Sequence, residues 1–179
     1  LLIDKYGVQG IYSYDTNMFL QEKEINEFCD VYASRGHTFK SAIELRPTFG
    51  SPEMFSKLRA HGVEVTLFGI EHGSQEMLDR MKKVYDAKFT PKVYQMALDA
   101  DLTIHGNLLF GTPGETPKTV RESRSLMMSL EKGIADQGKR LKDSERIITS
   151  GYGWSILIPG PPSELYETAM EEGYITNED

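Results

Sequence analysis

Apolar and polar positions follow two rhythms along this chain, one of period two and one of period 3.6, and the two alternate. Val8 to Tyr14 is rich in β-branched and aromatic residues and predicts a strand. In Gln21 to Ser34, residues Ile25, Phe28, Cys29 and Tyr32 share one helical face, and Arg35-Gly36 stops that helix. Thr38 to Leu45 is the next strand. Ser51-Pro52-Glu53 reads as an N-cap, a proline at the first helical position and an early acid. Met54, Phe55 and Leu58 give this helix its apolar face, and Gly62 ends it. Val63 to Ile70 is a third strand. Ser74 is expected to cap a short helix carrying Met77, Leu78 and Met81. Thr90-Pro91 starts another, with Val93, Tyr94, Ala97 and Leu98 inward. Thr103 to Phe110 is a fourth strand, and Thr116-Pro117 opens a long helix through Val120, Met127 and Leu130. Residues 135–146 are charged and aperiodic and predict a solvated loop. Ile147 to Ile158 holds a fifth strand that Gly151 and Gly153 are expected to bend or interrupt. Pro159-Gly160-Pro161-Pro162 breaks the chain, and Ser163 caps a last short helix ending at Gly173.

Strands separated by helices imply βαβ units and a parallel sheet, an α/β fold. No linker, repeat or low-complexity segment divides the 179 residues, so one domain is expected. The opening Leu1 to Gly7 reads as the end of a helix, as in a piece of a longer chain. Hydrophobic residues at 39% and charged residues at 26% are globular values. A net charge of −7 argues against general nucleic-acid binding, which needs clustered Lys and Arg. No apolar run is long enough to span a membrane, no signal peptide is visible, and a cytoplasmic setting is expected. The single Cys29 excludes an internal disulfide and any multi-cysteine metal site built by this chain alone.

An α/β fold carries its chemistry at the C-terminal ends of its strands. Glu44 and Arg46 end the second strand, Glu71 and His72 the third, and His105 and Asn107 lie in the fourth. Alternation turns Glu44 and Arg46 one way, and His105, Asn107 and Leu109 likewise. Glu44, Arg46, Glu71 and Asn107 would converge on one mouth. Each also has a plain structural reading: an ion pair between Glu44 and Arg46, a helix cap by Glu71, a strand contact by Asn107. His72 and His105 lack metal-ligand spacing and read as lining or packing residues. Trp154 is expected in the core or at the mouth, and Cys29 as an inert buried thiol.

Three stretches resemble the radical S-adenosylmethionine (SAM) superfamily. They are Gly69-Ile70-Glu71-His72-Gly73-Ser74-Gln75 with Leu78, Met81 and Lys82; Phe110-Gly111-Thr112-Pro113-Gly114-Glu115-Thr116; and Pro159-Gly160-Pro161-Pro162-Ser163-Glu164-Leu165-Tyr166 with Gly173. Their order and spacing agree across about residues 1 to 175. The branch most resembled is that of B12-binding-domain radical SAM proteins, the Mg-protoporphyrin monomethyl ester cyclase-like group. Lipid methylases and oxygen-independent porphyrinogen oxidases are cousins. Tyr14-Asp15-Thr16-Asn17-Met18-Phe19 is a one-residue-longer counterpart of that branch's Asp-Asp-x-Phe stretch.

The resemblance implies a partial (β/α)6 TIM-like barrel with strands two to six present, residues 1–179 forming a core-domain fragment. It implies an enzyme, oxidoreductase or methyltransferase, that cleaves SAM at a [4Fe–4S] cluster and abstracts hydrogen from a small-molecule substrate. An electron donor and cobalamin in a separate domain belong to the same expectation. The CxxxCxxC segment that would hold the cluster is not in this chain, so the fragment alone is expected to be inactive. By the resemblance, Asp15, Thr16 and Asn17 meet the SAM amino group, and Glu44 and Arg46 its amino-acid portion. Glu71 and Asn107 meet the ribose hydroxyls, and Gly111 and the backbone near Ile158 form the adenine wall. His72 stands where the family has Ser. A cluster-less nucleoside-binding module is the alternative. An aldolase-like barrel is disfavoured because no strand carries a lysine placed for a Schiff base. Self-association through an exposed strand edge is a further expectation.

Overall fold

The computed structural model describes residues 2–13, 18–19, 21–36, 40–142 and 150–176. Five strands form one sheet in chain order: β1 (Gly10–Tyr12), β2 (Lys40–Leu45), β3 (Val63–Glu71), β4 (Thr103–Phe110) and β5 (Gly151–Ile156). Every neighbouring pair is parallel. The helices are α1 (Leu2–Tyr6), α2 (Glu22–Ser34), α3 (Pro52–Ala60), α4 (Gln75–Arg80), α5 (Thr90–Asp99), α6 (Pro117–Arg140) and α7 (Glu164–Glu171). Strand order never reverses, so the sheet lacks the switch point of a doubly wound fold and has the order of a partial TIM-like barrel.

The core lies between the helices and one face of the sheet. Ile43 and Leu45 of β2, Thr66, Phe68 and Ile70 of β3, and Ile104, Gly106 and Leu108 of β4 are buried there. Phe68 packs between Phe55 of α3 and Tyr94 of α5, with ring centroids 6.3 and 6.2 Å away. Gly106 admits this packing. A Cβ there would lie 2.3 Å from Ile70 Cδ1 and 3.3 Å from the Tyr94 ring. Helix starts follow the sequence signals: Ser51 accepts from the Met54 N–H, Thr116 from Thr119, and Ser163 from Tyr166. Gly7, after α1, has φ +64°.

Four expectations are corrected. The charged stretch 135–146 is not a loop throughout, because α6 continues to Arg140. Its inward face there is Gly133 and Gln137, which bind without apolar periodicity. The Gln137 amide donates to the carbonyls of Leu98 and Leu102, and its oxygen accepts from the Ser150 hydroxyl. Gly153 does not interrupt β5, which pairs with β4 from Gly151 to Ile156 without a register shift; residues 147–149 of the expected strand lie outside the described residues. Trp154 is not in the core: it is 66% exposed, on the last strand of the sheet. Ser74 occupies the N-cap of α4 but makes no side-chain cap bond. Among the described residues, no helix is long and apolar enough to cross a membrane.

Candidate functional site

The face of the sheet away from the core carries the candidate residues. Alternation that buries Ile43, Phe68 and Leu108 turns Glu44, Leu67, Gly69, Glu71, His105 and Asn107 to this side. In register, Glu44 stands opposite Leu67, Leu67 opposite His105, Gly69 opposite Asn107, and Asn107 opposite Gly153. Glu44, Arg46, Glu71 and Asn107 line one cavity of about 420 Å3, with Leu67, Gly69, Lys83 and Tyr85. β2, β3 and β4 therefore contribute to a single polar hollow.

The plain structural readings of these four residues do not describe their contacts. Glu44 and Arg46 are not paired with each other. Glu44 accepts a 3.4 Å bond from the Tyr12 hydroxyl, and Arg46 has no ion pair or hydrogen bond among the described residues. Asn107 likewise has no hydrogen-bond partner there and is exposed. Glu71 caps no helix; its Oε1 pairs with Lys83 Nζ at 2.8 Å. The cavity thus presents two carboxylates, two cations and a free amide.

Glu71 has φ +59°, the left-handed region that a non-glycine residue adopts at a cost. It is the centre of a tight turn closed by the His72 N–H on the Ile70 carbonyl at 2.7 Å. Tyr85 braces the turn from one side, its hydroxyl shared between the carbonyls of Gly69 (3.1 Å) and Ile70 (2.7 Å). Burial, and then the Glu71 charge, push the Tyr85 phenol above its ordinary value, while Arg46 pulls the other way.

His72 braces the turn from the other side. Its ring is buried, with Nε2 3.0 Å from Glu115 Oε1 and Nδ1 accepting from the Ser74 N–H at 3.0 Å. A backbone donor at Nδ1 fixes the proton on Nε2, so Nε2–H donates to the carboxylate. Glu115 Oε2 in turn accepts from the Gly111 N–H at 2.7 Å. The Ser123 hydroxyl of α6 lies 3.1 Å from Nδ1 and accepts from the Gly73 N–H. Gly73 is required for this approach, because a Cβ there would sit 2.5 Å from Ser123 Cα.

Gly111 and Ile158 do not line the 420 Å3 cavity. Gly111 follows β4 with φ +82°, and Ile158 is 85% exposed. Between them, the Leu157 N–H donates to the Phe110 carbonyl at 2.7 Å. Asp15, Thr16 and Asn17 lie outside the described residues. Sequence reasoning missed Lys83 and Tyr85. Both come from the segment between α4 and α5, and Lys83 also lines two neighbouring cavities of about 770 and 560 Å3. The second of these brings Leu109, Pro113 and Leu157 beside Glu71.

The cavity's polar groups can meet a carboxylate, hydroxyls and an amine. Arg46 is free to meet a carboxylate, and Glu71, Glu44 and Asn107 are acceptors suited to hydroxyl and amino groups. Cys29 is buried in α2, where burial raises its thiol pKa, and no group of three metal-ligating side chains occurs among the described residues.

No family model matches the sequence, and no curated protein does. Solved structures do match. The radical SAM methyltransferase TsrM from Kitasatospora setae, with tryptophan substrate and a SAM analogue bound, aligns at TM-score 0.64 and 18% identity. That alignment covers 86% of this chain and 28% of that one. The cobalamin-dependent SAM radical enzyme OxsB, with aqua-cobalamin and SAM bound, aligns at TM-score 0.64 and 14% identity, over 94% of this chain and 29% of that one. Coproporphyrinogen III oxidase from Escherichia coli, a radical SAM enzyme, aligns at 0.56 and 17%, over 93% and 40%. The chain has the fold of a radical SAM core domain. It spans under a third of the length of the first two structures.

Proposed function

We propose that this chain is the SAM-binding part of a radical SAM enzyme whose cluster thiolates come from polypeptide outside it. The observation that carries the reading is the convergence of Glu44, Arg46, Glu71 and Asn107 on one cavity. Arg46 takes the carboxylate of the amino-acid portion and Glu44 its ammonium. Glu71 and Asn107 accept from the ribose hydroxyls, and the adenine lies toward Gly111 and Ile158. Strand neighbours are about 4.8 Å apart, so side chains from β3 and β4 can both reach one sugar. When bound beside a reduced cluster, SAM supplies a 5′-deoxyadenosyl radical that takes hydrogen from a small-molecule substrate. The chain's own work is to orient SAM and exclude water from it. An electron donor, a separate cobalamin domain, a cytoplasmic setting and association through a sheet edge complete the proposal.

The buried, single Cys29 favours a second reading, a nucleoside-binding module that works without a cluster. Iron and sulfide analysis of the full-length protein after anaerobic reconstitution separates the two, a stoichiometric cluster supporting the enzyme. The site assignment is tested by calorimetric titration with S-adenosylhomocysteine, an unreactive product analogue. Glu71→Ala and Asn107→Ala should each weaken binding about fivefold, the worth of one hydrogen bond, without lowering Tm. Unchanged affinity in both variants would remove the assignment and leave the fold intact.

A further inference from the structure

The ribose reading of Glu71 leaves its strained backbone and the buried polar cluster beside it without a purpose. A carboxylate on an ordinary strand end needs neither. Left-handed backbone persists in a non-glycine residue only when the surroundings over-determine it, and here they do. Glu71 sits between Tyr85, which holds the two carbonyls before it, and His72, whose ring is bonded on both sides.

The His72 ring also reaches beyond its own turn. Glu115 bridges it to the Gly111 N–H, so one carboxylate ties the turn after β3 to the turn after β4. Ser123 anchors both His72 and Gly73 to α6. Both His72 ring nitrogens, both Glu115 oxygens and the Ser123 hydroxyl are bonded, and losing one partner strands another.

We propose that His72 and Glu115 form a clasp that positions the turn after β3, which carries Glu71 into the cavity, and the turn after β4 as one unit. The clasp holds Glu71 in its left-handed turn, aimed into the cavity, and fixes Gly111 at a set distance from it. His72 and Glu115 are positioning residues: neither lines the 420 Å3 cavity, and both act through Glu71 and Gly111. The inference rests on the nucleoside reading of that cavity and names what sets its spacing.

The test is calorimetric titration of the full-length protein with S-adenosylhomocysteine, beside a thermal melt. His72→Asn keeps an acceptor for the Ser74 N–H but falls short of Glu115. Glu115→Gln keeps the side chain's shape and turns an amide N–H toward one of its two donors. Both should lower affinity about fivefold, the worth of a lost hydrogen bond transmitted to the ligand. Gln137→Ala is the control, since it breaks a buried cluster of the same helix far from the cavity. It should lower Tm at least as much and leave affinity unchanged. Affinity unchanged in both clasp variants, with Glu71→Ala weakened, overturns the clasp alone. Affinity unchanged in Glu71→Ala and Asn107→Ala overturns the nucleoside reading, and the clasp with it. Should His72→Asn fail to fold, Glu115→Gln decides, its carboxylate being partly exposed.

Discussion

The two faces of this sheet share a backbone and differ in almost everything else. On the helix-covered face, Phe68, Ile70, Ile104 and Leu108 exclude water completely or nearly so. On the other, one residue along each strand, stand Leu67, Gly69, Glu71, His105 and Asn107, all with some exposure. Glycine means opposite things on the two sides. Gly106 is bare because Ile70 and Tyr94 need its space, whereas a Cβ at Gly153 would make only an ordinary 3.6 Å contact with Asn107 Oδ1. One face thus supplies stability, and the other is left polar and open at some expense in burial. That division is expected where a scaffold must hold charges in place without depending on them.

The contrast is sharpest in truncations. Phe68→Ala should cost about 3–5 kcal/mol, because it opens a cavity between two packed aromatic rings. Leu67→Ala, one residue away and facing the hollow, should cost less than half of that. Urea denaturation of the two variants measures the difference. Equal losses would mean that the open face is packed as well as the core.

Glycine substitutions come next. Gly106→Ala should cost about 1–3 kcal/mol, since the new methyl can be placed only by displacing Ile70, which is fully buried. Gly153→Ala should fall within about 0.5 kcal/mol of the parent, as surface changes do. A neutral Gly106→Ala would show that the two faces are equally tolerant.

Much of this division is readable in the amino-acid order, and where it is not the reason is physical. Alternation alone turned Glu44, Arg46 and Asn107 toward one side, because a strand has a strict period of two. Lys83 and Tyr85 carry no such signal, since the segment between α4 and α5 has no period to place a side chain. The end of α6 was hidden because its inward residues, Gly133 and Gln137, bind by close approach and hydrogen bonds, and hydrophobic patterning cannot register either. Trp154 misled in the opposite sense. Its size predicts burial, but it stands on the last strand of the sheet, with no further strand beside it, and is 66% exposed.

Alkaline pH probes the seam between the faces, where Tyr85 reaches from the cavity to the strand backbone. Its phenol has a raised pKa in the folded state, from burial first and the Glu71 charge second. The stabilisation this brings is fully present below the unfolded value of about 10 and is lost as pH rises from there toward the folded value. Stability should therefore decline above about pH 10. Tyr85→Phe should lose about 1 kcal/mol at neutral pH and decline less steeply above pH 10. Tyr94, raised in the same direction chiefly by burial, keeps part of the slope. Urea midpoints between pH 7 and 11 give the comparison, and an unchanged slope in Tyr85→Phe would detach this residue from the effect.

A small effect is also expected at the Glu71–Lys83 pair, although at 2.8 Å it is a close ion pair. Its side chains are 24% and 38% exposed, so water screens the attraction, and ordering the long lysine offsets part of what remains. Lys83→Met keeps the length of the side chain and removes its charge. Unfolding free energy should change by less than about 1 kcal/mol. The carboxylate it leaves behind is not stranded, since Glu71 keeps solvent on one side. A loss above about 2 kcal/mol would place the pair among buried ion pairs, where removing one partner is severe. In that event the open face would be holding the fold together through its charges, and the separation between a stabilising face and a binding face would fail at the residue where the two meet.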